Sequence, residues 1–154
     1  MYTDHIIGSE EHETWLEGAL HGHSSRFLIF EISGEPAGMV SFTAITPVPS
    51  VGSSSCLWAF YLGEADTPKG TGSVMELLAL DHAFGELMIR KLSCEVIASN
   101  NAVVRLHEKF GFTVEGTLRG QVLKNGAYED VILLALFAEE WPAARGAIID
   151  RYYS

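Results

Sequence analysis

Apolar residues along this chain switch between a helical and a strand period, and the switches divide it into elements. Residues 8–22, GSEEHETWLEGALHG, place Glu10, Glu11 and Glu13 in a first turn opened by Ser9, where the helix dipole favours anions. Trp15, Leu16, Ala19 and Leu20 then share one face until Gly22 ends the run, so a short helix is predicted. RFLIFEISGEPAGMVSFTAI reads as two strands around a Gly and Pro turn, a hairpin. TPVPSVGSSS has no preference for a regular state and marks a loop.

CLWAFYL is a continuous apolar run, the pattern of a strand buried on both faces. Beyond GEADTPKG, helical spacing of Val74, Leu77, Leu78, Leu80, Ala83, Phe84 and Leu87 predicts a helix over about 73–87. KLSCEVIA is a fourth strand, and NNAVVRLHEKFG a helix with Asn100 as N-cap and Gly111 as its stop. Two longer strands follow around Asn125-Gly126, a strong hairpin signal. The tail WPAARGAIIDRYYS has room for one more helical turn. The expected fold class is α/β, one layered domain over 1–154 with a mostly antiparallel sheet and one crossover around the central helix.

Composition narrows the function. The 154 residues carry 47% hydrophobic side chains, enough for a core in a single domain. A net charge of −10 with 10 Lys and Arg argues against nucleic acid as a partner, since a phosphate backbone is bound by clustered cations. No window is long and apolar enough for a membrane span, and the first residues lack a signal-peptide pattern, so a cytoplasmic location is expected. Cys56 and Cys94 have neither a CxxC partner nor metal-like spacing to the six histidines. Both read as buried thiols, and no metal site is expected.

The stretch TPKGTGSVMELLALDHAF, residues 67–84, sets two glycines before the central helix. The first N–H groups of a helix lack intrahelical partners and favour a diphosphate, and glycine removes the Cβ that would hold it off; a tight strand-to-helix turn would use the same residues. A dinucleotide fold is disfavoured, because no third glycine follows and the chain ends in an antiparallel hairpin.

Three blocks resemble the GCN5-related N-acetyltransferase (GNAT) family over most of the chain from Phe27 to Leu136. KGTGSVM is similar to its acetyl-CoA signature, with Lys69 at the basic position and Gly72 at the first glycine; Val74 departs from the usual Gly or Ala. NNAVVRLHEKFGF resembles the family's second helix, with His107 in place of a tyrosine that lies near the thioester sulfur. EGTLRGQVLKNGAYEDVILLAL narrows the likeness to the acetyltransferases of pseudaminic acid biosynthesis, the PseH enzymes, with ribosomal-protein N-terminal acetyltransferases as runner-up.

The resemblance implies a GNAT fold and acetyl transfer from acetyl-CoA by direct attack of an amine. The implied acceptor is the 4-amino group of a UDP-linked amino-dideoxy sugar. Implied cofactor contacts are Leu62, Lys69, Gly70, Thr71, Gly72, Ser73, Val74 and Asn100. A backbone N–H at Leu62 would hold the thioester carbonyl, and His107 would protonate the departing thiolate. Tyr2, Thr3 and His5 would shape the acceptor pocket; base candidates are His5, Glu95 and Glu115, and Trp58 and Phe60 read as core. Compared with the family, the resemblance implies that the chain begins late, with either a truncated start or an absent first edge strand before the segment MYTDHII, and an exposed sheet edge near the second strand is expected. The negative net charge suits a polyamine or cationic peptide better than a UDP sugar, and an inactive CoA-binding relative also fits; a homodimer is left open.

Overall fold

A computed structural model describes residues 8–22, 24–46, 54–63 and 66–154. In chain order these form α1 (Ser9–His21), β1 (Arg26–Ile32), β2 (Glu35–Thr43), β3 (Ser55–Leu62), α2 (Thr71–Gly85), β4 (Lys91–Ile97), α3 (Asn101–Lys109), β5 (Thr113–Lys124), β6 (Ala127–Phe137) and α4 (Trp141–Tyr152). The strands make one six-stranded sheet in the order β1-β2-β3-β4-β6-β5. All neighbouring pairs are antiparallel except β3 with β4, which α2 connects as a crossover.

Several sequence expectations meet a different outcome. α3 is a second crossover, because β6 inserts between β4 and β5. β3 is not buried on both faces: Cys56 and Trp58 point into the core while Leu57 and Tyr61 are exposed, the alternation of a one-sided strand. β2 is paired on both sides, so among the described residues the exposed edge falls on β1. α2 begins two residues before the expected start, and the tail forms a complete helix rather than one turn. α1 has Gly8 as N-cap and buries none of its residues; Trp15 leans edge-on against Phe27 at 5.1 Å.

Asn125 and Gly126 both have positive φ, 50° and 79°, between the paired Lys124 and Ala127, the two-residue hairpin turn expected. Gly111 also matters for local geometry. Its φ is 97°, its N–H donates to Glu108 and that of Phe112 to His107, which closes α3 in a Schellman motif. A Cβ there would stand 2.9 Å from that of Ala144 on α4.

The core lies between the sheet and α2, with Met75, Leu80 and Ala83 packed on Phe42, Trp58, Leu92 and Leu134, and with Phe110 and Trp141 closing one end. α4 is tied to α2 by Asp81, which accepts from the Trp141 indole at 3.0 Å and from Arg145 Nε and Nη2 at 2.8 and 3.0 Å. Since Trp141 is buried, Asp81→Ala strands its N–H and is expected to cost about 1–3 kcal/mol. The urea midpoint should fall with an unchanged slope, and Arg145→Ala should lower it less, because that side chain reaches solvent.

Candidate active site

β3 and β4 pair only from Ser55–Lys91 to Leu57–Ser93 and then part. On β3, Ser55 and Ala59 turn their carbonyls, and Gly63 its N–H, toward the β2 side, onto Thr46, Ser41 and Ala37. Backbone direction alternates along an antiparallel strand, so the N–H and C=O groups of Phe60 and Leu62 face the other way, into the gap left by β4. An extended ligand can pair with that edge as a strand would. The Leu62 N–H, the expected donor to the thioester carbonyl, faces this gap.

The gap opens onto a cavity of about 280 Å³ between β3, β4 and α3, whose lining includes Phe60, Glu95, Asn100, Val103, His107 and Lys124. The start of α2 packs beside the end of β3, where a Cβ on Gly72 would lie 3.9 Å from both Leu62 and Leu106, while Lys69, Gly70, Thr71 and Val74 line a separate cavity of about 520 Å³ with Phe30, Ile32 and Tyr153. Gly70 is the N-cap, with φ 92°, a value that disfavours any side chain. Of the implied cofactor contacts at the start of α2, Thr71 and Val74 already use their amides. Thr71 donates to Pro68, and Val74 makes the first helical bond to Gly70. Among the described residues the amides of Gly70, Gly72 and Ser73 have no backbone acceptor, next to the exposed Lys69, and this set fits a diphosphate. Val74 faces outward, 37% exposed, so its bulk does not enter the gap.

Asn100 does not cap α3 with its side chain, although its carbonyl accepts the first amides of the helix. The side chain is therefore left for the cavity it lines. Trp58 is core, 3% exposed, and with Phe60 and Phe112 it surrounds the His107 ring at centroid distances of 5.3, 5.9 and 5.3 Å. Of the base candidates, Glu95 reaches the cavity, while Glu115 pairs with Lys91 at 2.8 Å and does not line it. Tyr2, Thr3 and His5 lie outside the described residues.

Sequence reasoning missed Glu76. Its carboxylate is fully buried and lies 2.7 Å from His107 Nδ1, whose side chain is 4% exposed. Burial pushes the Glu76 carboxyl above its ordinary range, while the hydrogen bond and charge of His107, and the charge of Lys109, pull it down. The signal was present in the helical spacing: Glu76 is one turn before Leu80 and two before Ala83, both buried. Among the described residues no three His, Cys, Asp or Glu side chains are grouped as metal ligands. No helix among them is long and apolar enough to cross a membrane.

The architecture is a mixed sheet whose parallel pair parts beside a glycine-led helix. The chain belongs to the GNAT acetyltransferase domain family, whose model matches residues 3–133. It is 32% identical over 133 residues to YokL of Bacillus subtilis, an uncharacterized prophage-derived N-acetyltransferase, covering 86% of this chain and 72% of that protein. It is 28% identical to the spermidine N(1)-acetyltransferase of Escherichia coli K12, covering 80% of this chain but only 64% of that enzyme's length. The spermidine N-acetyltransferase of Vibrio cholerae, solved with CoA and spermine, superposes with a TM-score of 0.82 at 22% identity, covering 92% and 82%. The expected GNAT fold is thus observed, and the expected class, an acetyl-CoA-dependent N-acetyltransferase, is that of the relatives. The narrower likeness to pseudaminic acid enzymes finds no support in them.

Neither cysteine is built as a nucleophile. Both are free and buried, and burial pushes the Cys56 thiol up to about 12 and raises that of Cys94 as well, so no appreciable thiolate exists near neutrality. An aromatic disulfide reagent at pH 8 should therefore titrate neither thiol in the folded protein within minutes and both after unfolding in guanidinium.

Proposed function

We propose that this chain is one acetyl-CoA-binding domain that transfers the acetyl group to a small cationic amine, with a polyamine favoured over a UDP-amino sugar as acceptor. The observation that carries the reading is the unpaired edge of β3 at Phe60 and Leu62, opening onto a cavity with His107 in its wall. The pantetheine arm would run along that edge, and Gly70, Gly72 and Ser73 would hold the diphosphate, with Lys69 beside them. Leu62 would donate to the thioester carbonyl as charge gathers on oxygen, a donor that needs no reorganisation.

Attack by the amine on the thioester carbon is direct, since no thiolate is available to form an acyl-enzyme. His107 supplies the proton that the departing sulfur needs. Tyr2, Thr3 and His5 remain proposed acceptor contacts. Two facts favour the polyamine. The relatives include spermidine acetyltransferases, and a net charge of −10 attracts a polycation and repels a nucleotide sugar.

Thiol release from acetyl-CoA with spermidine, a UDP-4-amino sugar and an alanine-starting peptide tests this. Turnover should be greatest with spermidine, and turnover with the sugar alone would overturn the acceptor assignment. CoA binding without turnover on any acceptor would overturn the enzyme reading. His107→Phe should lower kcat about 100-fold or more.

A further inference from the structure

The direct-attack mechanism leaves one proton without a carrier, because the attacking nitrogen becomes positively charged when the N–C bond forms. The wall of the cavity holds a group suited to it. His107 Nδ1 is fixed on Glu76 Oε1 at 2.7 Å, inside the protein. Among the described residues Nε2 makes no hydrogen bond, yet it is not among the sealed polar atoms, and His107 lines the cavity. The ring therefore has Nδ1 anchored and Nε2 without a partner among the described residues, in a residue that lines the cavity.

Glu76 Oε2, by contrast, is sealed and has no partner. A carboxyl serving packing alone would be replaced at lower cost by an apolar side chain of similar volume. Its placement makes sense through the ring it holds. With the carboxylate ionised, Nδ1 carries the proton and the Nε2 lone pair faces the cavity; a protonated Glu76 would reverse the tautomer. Burial raises the Glu76 carboxyl overall, and the hydrogen bond and charge of His107, with the charge of Lys109 on α3, act against that rise. Cys94 on β4, raised by burial, stays neutral, and Glu95 acts from the cavity wall.

We infer that Glu76 and His107 form one proton relay: Nε2 takes a proton from the attacking amine and returns it to the departing CoA sulfur. The inference rests on the N-acetyltransferase reading above. The acceptor first loses one proton to solvent to become a free amine. Its lone pair forms the N–C bond, and Nε2 removes a proton from the resulting positive nitrogen. The C–S bond then breaks with its electron pair on sulfur, which takes the proton from Nε2. Histidine ends as it began, and each ammonium acetylated releases one proton to solvent. Glu76 touches neither reactant; it is a positioning residue that sets the tautomer and stabilises the transient imidazolium.

The first test needs no acceptor. Nitrogen-15 spectra of histidine-labelled protein should show the His107 proton of the neutral ring on Nδ1, and a proton on Nε2 would overturn the relay. The second test uses Glu76→Gln, which keeps the volume and one acceptor oxygen. With spermidine as probe, kcat should fall about 10- to 100-fold while the KM for acetyl-CoA stays unchanged. Removing the carboxylate also removes the attraction that favours imidazolium, so the ascending limb of kcat/KM against pH should move to lower pH. A slow Glu76→Gln protein whose pH profile keeps the wild-type position would mark a packing role and overturn the relay. Should His107→Phe be as fast as wild type, the acid reading falls and the relay with it; should only Glu76→Gln be unimpaired, the relay alone falls.

Discussion

The parting of β3 from β4 is the constraint on which the site depends. Only three residue pairs join these strands before Phe60 and Leu62 lose their partner. A buried strand edge without partners is costly, since each unmade backbone hydrogen bond forfeits the desolvation of its group. A gap of this kind persists only if water or a ligand can reach it. The crossover supplies the rest: α2 follows β3, so its N-terminus lies beside Leu62, and α3 follows β4, so His107 comes to the cavity wall. One topological event brings together an unpaired strand edge, a helix N-terminus and a buried imidazole.

Holding an imidazole at 2.7 Å from a fully buried carboxylate demands rigid support. The desolvation of such a pair can exceed its mutual attraction, so the pair is weak evidence for stability and better evidence for use. Support comes from both ends. Three aromatic rings enclose the imidazole, and the His107 carbonyl accepts the Phe112 N–H in the Schellman closure of α3. Gly111 makes that closure and the approach of α4 possible at once. The helix end and the site are therefore one construction.

Legibility in the sequence followed range. Elements set by local chemistry were readable: the Asn125-Gly126 turn, the Gly111 stop and the periodic face of α2 are decided within a few residues. Pairings made across the chain were not. The insertion of β6 between β4 and β5 depends on which edges are free after collapse, and the exposure of Leu57 and Tyr61 depends on which face of β3 is covered. Within the site, His107 and Leu62 stood out by resemblance, whereas Glu76 is 31 residues from its partner and reads as one acid among many. Its position on the buried stripe of α2 was the available clue. Thr71 and Val74 were miscounted as free donors because the turn at Pro68 and the first helical bond consume amides that sequence alone shows only as present.

The charge of the chain also takes on a division of labour. Fields from exposed carboxylates are screened over about 8–10 Å at physiological salt, whereas helix N-terminal amides act at contact distance. On the proposed function, Gly70, Gly72, Ser73 and Lys69 would thus hold an anionic cosubstrate in a molecule whose net charge is −10. The longer-range field acts instead on whatever else approaches. On the same reading, a cationic amine would be drawn in by it, and acetylation would turn one ammonium into a neutral amide. The product would then be less attracted than the substrate, so the same charge that speeds arrival of the amine would not hold the acetylated amine as strongly.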